Sequence, residues 1–191
     1  MNVSSFTAVY DACVLYPAPL RDLLMHLAMT DLFQAKWSDM IHDEWTGNLL
    51  KNRPDLTAQQ LAHTRNMMNS HVPYALVTDF EELIPSLTLP DPNDRHVLAA
   101  AIRGQADIIV TKNLKDFPAP VLAQYGIEAQ HPDEFVVHLL ALAPEAVCEA
   151  VQRHRLSLKR PPKTVSEFLT TLELQEMPRT VEVLRQLSDR L

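Results

Sequence analysis

Apolar residues fall into two rhythms along the chain. Residues 6–15 (FTAVYDACVL) form an apolar run interrupted by one acid, Asp11, and residues 106–111 (ADIIVT) form a second run closed by Thr111. Short runs rich in Val, Ile, Phe and Tyr, without alternation, predict strands buried on both faces. A further strand is expected at 127–130. Elsewhere the apolar spacing changes to three and four. Pro19 suits the first turn of a helix running to about Met29. Ser38 can cap a helix over SDMIHDEWTGNLLKN that stops before Pro54. Residues 57–72 place Leu61, Thr64, Met68 and His71 along one side of another. Asp91 is expected to cap a helix over RHVLAAAIRGQ, with Asp94 as its third residue and Gly104 at its end. A short helix near 120–125 and one starting at Pro132 follow. Residues 76–80 and 83–89 read as a strand and as a short helix or turn. Beyond about Val151 the pattern gives way to QRHRLSLKRPPKT, then to two amphipathic segments, 165–176 and 178–191.

Strands alternating with helices predict an α/β fold, a central parallel sheet flanked by helices, with a helical C-terminal extension outside it. The expected division is 1–145 for the main domain and 146–191 for the extension with its basic linker. At 191 residues the chain can bury a core without covalent staples. Composition narrows the function. The three glycines, Gly47, Gly104 and Gly126, are too dispersed for a dinucleotide or Walker phosphate loop. Cys13 and Cys148 form no CxxC pair, which suits a reducing compartment and excludes a zinc ribbon. The first residues lack a basic, apolar leader, and no apolar run is long enough to span a bilayer, so a soluble cytoplasmic chain is expected. The net charge of −7 is uneven: residues 1–150 hold 9 basic and 19 acidic residues, whereas 151–191 hold 8 and 5. An acidic body argues against a simple nucleic-acid binder. It suits an enzyme whose carboxylates gather around metal ions.

Several acidic or amide residues stand where a predicted strand ends or a helix begins. Asp11 lies in or at the end of the first strand, where an unsatisfied carboxylate is costly. Glu44 sits mid-helix among small and apolar neighbours, whereas Asp43 beside it reads as surface. One of Asp91 and Asp94 suffices for capping, which leaves the other for the strand ends. Asn113 and Asp116 follow the ADIIVT strand, where a turn explains either equally well. An oxygen-only set converging on one sheet edge suits hard Mg²⁺ or Mn²⁺. Such ions clamp a phosphodiester and activate water for in-line attack. The eight histidines show no paired spacing and read as packed or exposed residues.

In this order and spacing, YDACVLYP, SDMIHDEW, LPDPNDRHVLAAAI and ADIIVTKNLKDFP resemble the PIN domain, and in particular bacterial PIN proteins of the VapC toxin type. The resemblance covers about residues 6–140. It implies a Rossmann-like sheet and a Mg²⁺- or Mn²⁺-dependent endoribonuclease, the toxin of a type II toxin–antitoxin pair. Such a toxin would cut tRNA, rRNA or mRNA, leave 5′-phosphate and 3′-hydroxyl ends, and be held by a cognate antitoxin. By position, the family acids become Asp11, Glu44 and Asp94. The fourth falls at Asn113, where many members carry Asp, and Asp116 three residues later is expected to supply or support it. Thr111 resembles a family hydroxyl that bonds around the acids, and Asp91 is a supporting acid or only a cap. RNA contacts are expected from Arg95, Lys112 and Lys115 beside the acids, and from Arg153, Arg155, Lys159 and Arg160 in the basic stretch. A phosphatase that begins with a strand-end Asp would need a second Asp where this chain has Cys13. A PIN-like module that binds RNA or a partner without cutting is left open by Asn113, as is a homodimer.

Overall fold

The computed structural model describes residues 6–191. Four strands, β1 (Thr7–Tyr10), β2 (Gln34–Lys36), β3 (Ile108–Val110) and β4 (Glu128–Gln130), form one sheet in the order β2-β1-β3-β4. Every pairing is parallel, with Val9 opposite both Lys36 and Ile109. The sheet is flanked by helices, the α/β architecture expected from the alternation of elements. Its centre is dry, since β1 is buried along its whole length. Tyr10 stacks on Trp37 and tilts against Phe33, so three aromatic side chains fill the space beside β1 and β2.

The chain divides into two compact units. Among the described residues, one comprises 6–16 together with Phe33–His131; the other comprises Pro17–Leu32 and Pro132–Leu191. The first unit holds the sheet with α1 (Ala12–Leu15) and α3 (Asp39–Asn52), and also α4 (Ala58–His71), α5 (Arg95–Arg103) and α6 (Ala119–Leu122). Ser38 Oγ accepts the Ile41 N–H and starts α3 where the sequence placed its cap. Thr57 and Gln60 close a reciprocal capping box on α4.

Two expectations are corrected here, and one strand is added. The strand expected over 6–15 ends at Tyr10: Asp11 takes an extended conformation as the cap of the single-turn α1, which buries Ala12, Val14 and Leu15. An apolar run of four residues fits a strand and a helical turn alike, so periodicity cannot locate the break. β2 has no signal in the sequence, because three residues with only Ala35 buried show no period. The strand expected at 76–80 contributes a single bridge, Leu76 to Trp37. The segment after it is a 3-10 turn over Glu81–Ser86 containing Pro85.

The second unit is helical: α2 (Ala18–Ala28), α7 (Pro132–Leu142), α8 (Pro144–Ser157), α9 (Val165–Glu173) and α10 (Pro178–Gln186). α2 buries Leu20, Leu23, Leu24 and Leu27, the stripe that three- and four-residue spacing makes, and packs on α8. The helix expected from Pro132 forms as α7 and ends at Leu142, and Pro144, suited to a first turn, opens α8. α8 runs on to Ser157, so Arg153 and Arg155 are helical and only 158–164 form a linker. Asp133 caps α10 from a distance, its carboxylate accepting the Thr180 N–H at 2.7 Å and the Arg179 N–H at 3.1 Å. No helix among the described residues is long and apolar enough to cross a membrane.

Candidate functional site

From β1 the chain passes to β2 on one side, and it later returns to β3 on the other. The carboxyl ends of β1 and β3 therefore flank a topological switch point, where open parallel sheets bind their ligands. Asp11 follows β1 there and Thr111 follows β3. The Thr111 hydroxyl donates to Asp11 Oδ2 at 2.7 Å, and the Cys13 thiol donates to the same oxygen at 3.1 Å. The two loops are tied again by the Lys112 N–H on Cys13 Sγ, and the Asn113 N–H on Thr111 Oγ1 braces the loop after β3 within itself. Both bonds to the carboxylate leave Oδ1 outside them. Asp11 is only 2% exposed. Burial raises its pKa, the Thr111 and Cys13 donors oppose that rise, and the charge of Glu44 adds to it. The Cys13 thiol is pushed up to about 12 by burial and by Asp11, so it remains a proton donor at neutral pH.

Asp94 stands at the N-cap of α5 rather than inside the helix, and its side chain makes no capping bond. Asp91 does that work one turn earlier, accepting the Asn93 N–H at 2.8 Å at the start of a 3-10 turn over Pro92–Asp94. The Asp94 carboxyl is thereby left to the site. Its pKa is pushed up to about 7, first by desolvation and then by the charges of Asp11, Asp91, Glu44 and Asp116. Four chain segments thus place their acids within one electrostatic field. Asp116 ends a 3-10 turn over Leu114–Asp116, and its N–H donates to the Asn113 carbonyl. The exposed Asn113 side chain lines a cavity together with Glu44 and Cys13.

Sequence patterning alone misses His96. It is 7% exposed, and its Nε2 lies 3.0 Å from Glu44 Oε2. An ionised carboxylate only accepts, so Nε2 carries the hydrogen. The Nδ1 atom is buried without a partner. The available signal was proximity: His96 lies two residues after Asp94, on the first turn of α5.

The basic candidates differ in how free they are. Arg95 Nε donates to the Pro92 carbonyl, and Lys115 is exposed. In the helical unit Arg153, Lys159 and Arg160 are exposed. Arg155 is spent within that unit, donating to the carbonyls of Lys163 at 3.0 Å and Leu191 at 3.2 Å. Among the described residues no group of three or more His, Cys, Asp or Glu side chains stands close enough to hold a metal ion as they lie. The donor chemistry nonetheless fits one. Oxygen ligands without thiolate or paired imidazole suit a hard dication, and such an ion would offset both the desolvation and the neighbouring charges that lift Asp94.

A parallel sheet with acids gathered at its switch point places the chain in a recognised class: residues 7–115 match the PIN domain family, and the chain belongs to it. Residues 132–186 match a second family, the VapC50 C-terminal domain. Over 53 residues the chain is 57% identical to "Putative ribonuclease VapC50" of Mycobacterium tuberculosis. That stretch is 28% of this chain and 31% of the relative, so the match spans less than a third of the relative's length. No solved structure matches the chain.

Proposed function

We propose that this chain is a Mg²⁺- or Mn²⁺-dependent endoribonuclease acting in the cytoplasm as the toxin of a type II toxin–antitoxin pair, with a cognate antitoxin protein as its partner. The observation that carries this reading is Asp94, freed from capping and lifted to about 7 amid Asp11, Asp91, Glu44 and Asp116. Membership of the PIN family and the name of the mycobacterial relative support it. One or two ions held by Asp11, Glu44 and Asp94, with Asp116 or Asn113, would neutralise the acids, clamp the phosphodiester and lower the pKa of a water. The chain's own groups do the rest. Thr111 and Cys13 fix Asp11, His96 orients Glu44, and Arg95, Lys112 and Lys115 take up phosphate charge at the edge of the site. We assign the nuclease to 1–145, and to 146–191 an extension whose Arg153, Lys159 and Arg160 contact the RNA backbone. A non-cutting module is the second reading, favoured by Asn113 standing where many members have an acid.

The test is cleavage of total RNA by the purified chain. Discrete fragments in Mg²⁺ or Mn²⁺ that vanish with EDTA are expected, together with a rise in Tm on adding Mn²⁺. Intact RNA under all conditions overturns the nuclease. His96 gives a finer check. Replacing it with Ala should weaken Mn²⁺ binding about 10–100-fold, the usual effect of removing a group that orients a ligand. Titrating Mn²⁺ against Tm measures this, and an unchanged midpoint refutes the orienting role.

A further inference from the structure

The first unit has a cavity of about 330 Å³ beside the acids, and the assignments above leave most of its lining unused. Glu44 and Asn113 belong to both the site and the cavity; Cys13, Tyr16, Asn48 and Asn52 complete its polar lining. Glu44, Asn48 and Asn52 are spaced by four on α3 and so share one face in steps of about 6 Å. Asn52 Nδ2 donates to the Tyr16 hydroxyl at 3.2 Å, bridging α3 to the end of the β1–α1 segment. No Lys or Arg lines the cavity.

We infer that this cavity receives a nucleobase of single-stranded RNA next to the scissile phosphate, with Asn48 and Asn52 reading its edge and Tyr16 holding Asn52 in place. The inference rests on the ribonuclease reading for what lies beside the base. Charge decides the class of occupant. With Glu44 at the cavity and no cation in its lining, a second phosphate is repelled, whereas a neutral base is not. Amides and a phenol together offer donors and acceptors, which is what a base edge requires. The volume lies near the lower end of small-ligand sites, roughly 300–1,000 Å³. It has room for a base, and base-specific RNA recognition uses unpaired, splayed nucleotides. Asn is also a poorer helix former than Lys or Glu, so two of them on one exposed helix face are not explained by helix stability.

The experiment measures binding of labelled A, C, G and U pentanucleotides to the full chain by fluorescence anisotropy in EDTA, which prevents cutting. The wild type should prefer one base. Asn48→Ala and Asn52→Ala should each lower that preference about fivefold or more, within the range for losing a base-edge contact. Binding of the weakest oligomer and Tm should hold steady, because both positions are exposed. Tyr16→Phe should act in the same direction with a smaller effect. A wild type without base preference, or variants that keep its ratios, overturns the inference. Cut positions in total RNA with Mg²⁺ separate the two claims. Cleavage at the same positions in wild type and both variants overturns the base site and leaves the nuclease standing. Base-selective binding lost in the variants, with no cleavage by the wild type, overturns the nuclease and supports the base site.

Discussion

Asp94→Asn should abolish RNA cleavage while making the metal-free protein more stable. The loss is expected to reach about 10³-fold or more, since a ligand that helps place the ion carries several kcal/mol of transition-state stabilisation. The gain follows from the pKa. In the folded chain Asp94 titrates near 7, against 3.8 for an ordinary aspartate carboxyl. The native state therefore holds this proton more tightly, so its contribution to stability is present below about pH 4 and is lost as pH rises through about 7. At full value the gap is worth ~4 kcal/mol. The carboxyl is only half-buried, and solvent screening reduces the expected effect to about 1–2 kcal/mol. In EDTA at pH 8 the variant should melt a few degrees above wild type. Adding Mn²⁺ should raise the wild-type Tm and leave the variant unmoved. A variant that loses both cleavage and stability would make Asp94 a structural acid, and unchanged cleavage would remove it from the site.

That prediction depends on a choice the sequence left open. DPND contains two acids, and spacing alone lets either cap the helix. The 3-10 turn settles the geometry by giving Asp91 the Asn93 N–H and leaving Asp94 without a capping bond. The order of the acids along the chain was readable, and so were β3, α5 and the Ser38 cap, because each carries a local signature. β2 was not readable, since three residues bear no period and its place is set by pairing with β1. Nor was the end of β1, where Ala12, Val14 and Leu15 are as apolar in a helical turn as in a strand. His96 and Asn48 escaped for another reason: each matters only through a neighbour on a different element or face. The Glu44–Asn48–Asn52 spacing was available in the sequence. Its meaning required the cavity that Tyr16 and Asn113 complete.

The helical unit should show the opposite pH dependence, and its source is His154. This imidazole is 2% exposed, stacks on His26 with centroids 5.1 Å apart, and meets Phe168 edge-on at 4.9 Å. Its Nδ1 is buried without a partner. Burial, then the charges of His26 and Lys163, lower its pKa to about 4. The unfolded chain accepts this proton near 6.5, so between about 6.5 and 4 it binds protons that the native state refuses. Stability is full above 6.5 and falls as pH drops, by about 3 kcal/mol at pH 4. Over the same window Asp94 regains part of what His154 loses, so the wild type should appear flatter in pH than His154 alone makes it. His154→Phe keeps an aromatic ring against Phe168 and removes the titration. Denaturant midpoints at about pH 7.5 and about pH 4.5 should then converge or reverse in that variant, while Asp94→Asn should fall more steeply toward acid than wild type. Equal acid sensitivity in His154→Phe and wild type would show that His154 is protonated within the fold. The loss at low pH would then belong to other groups.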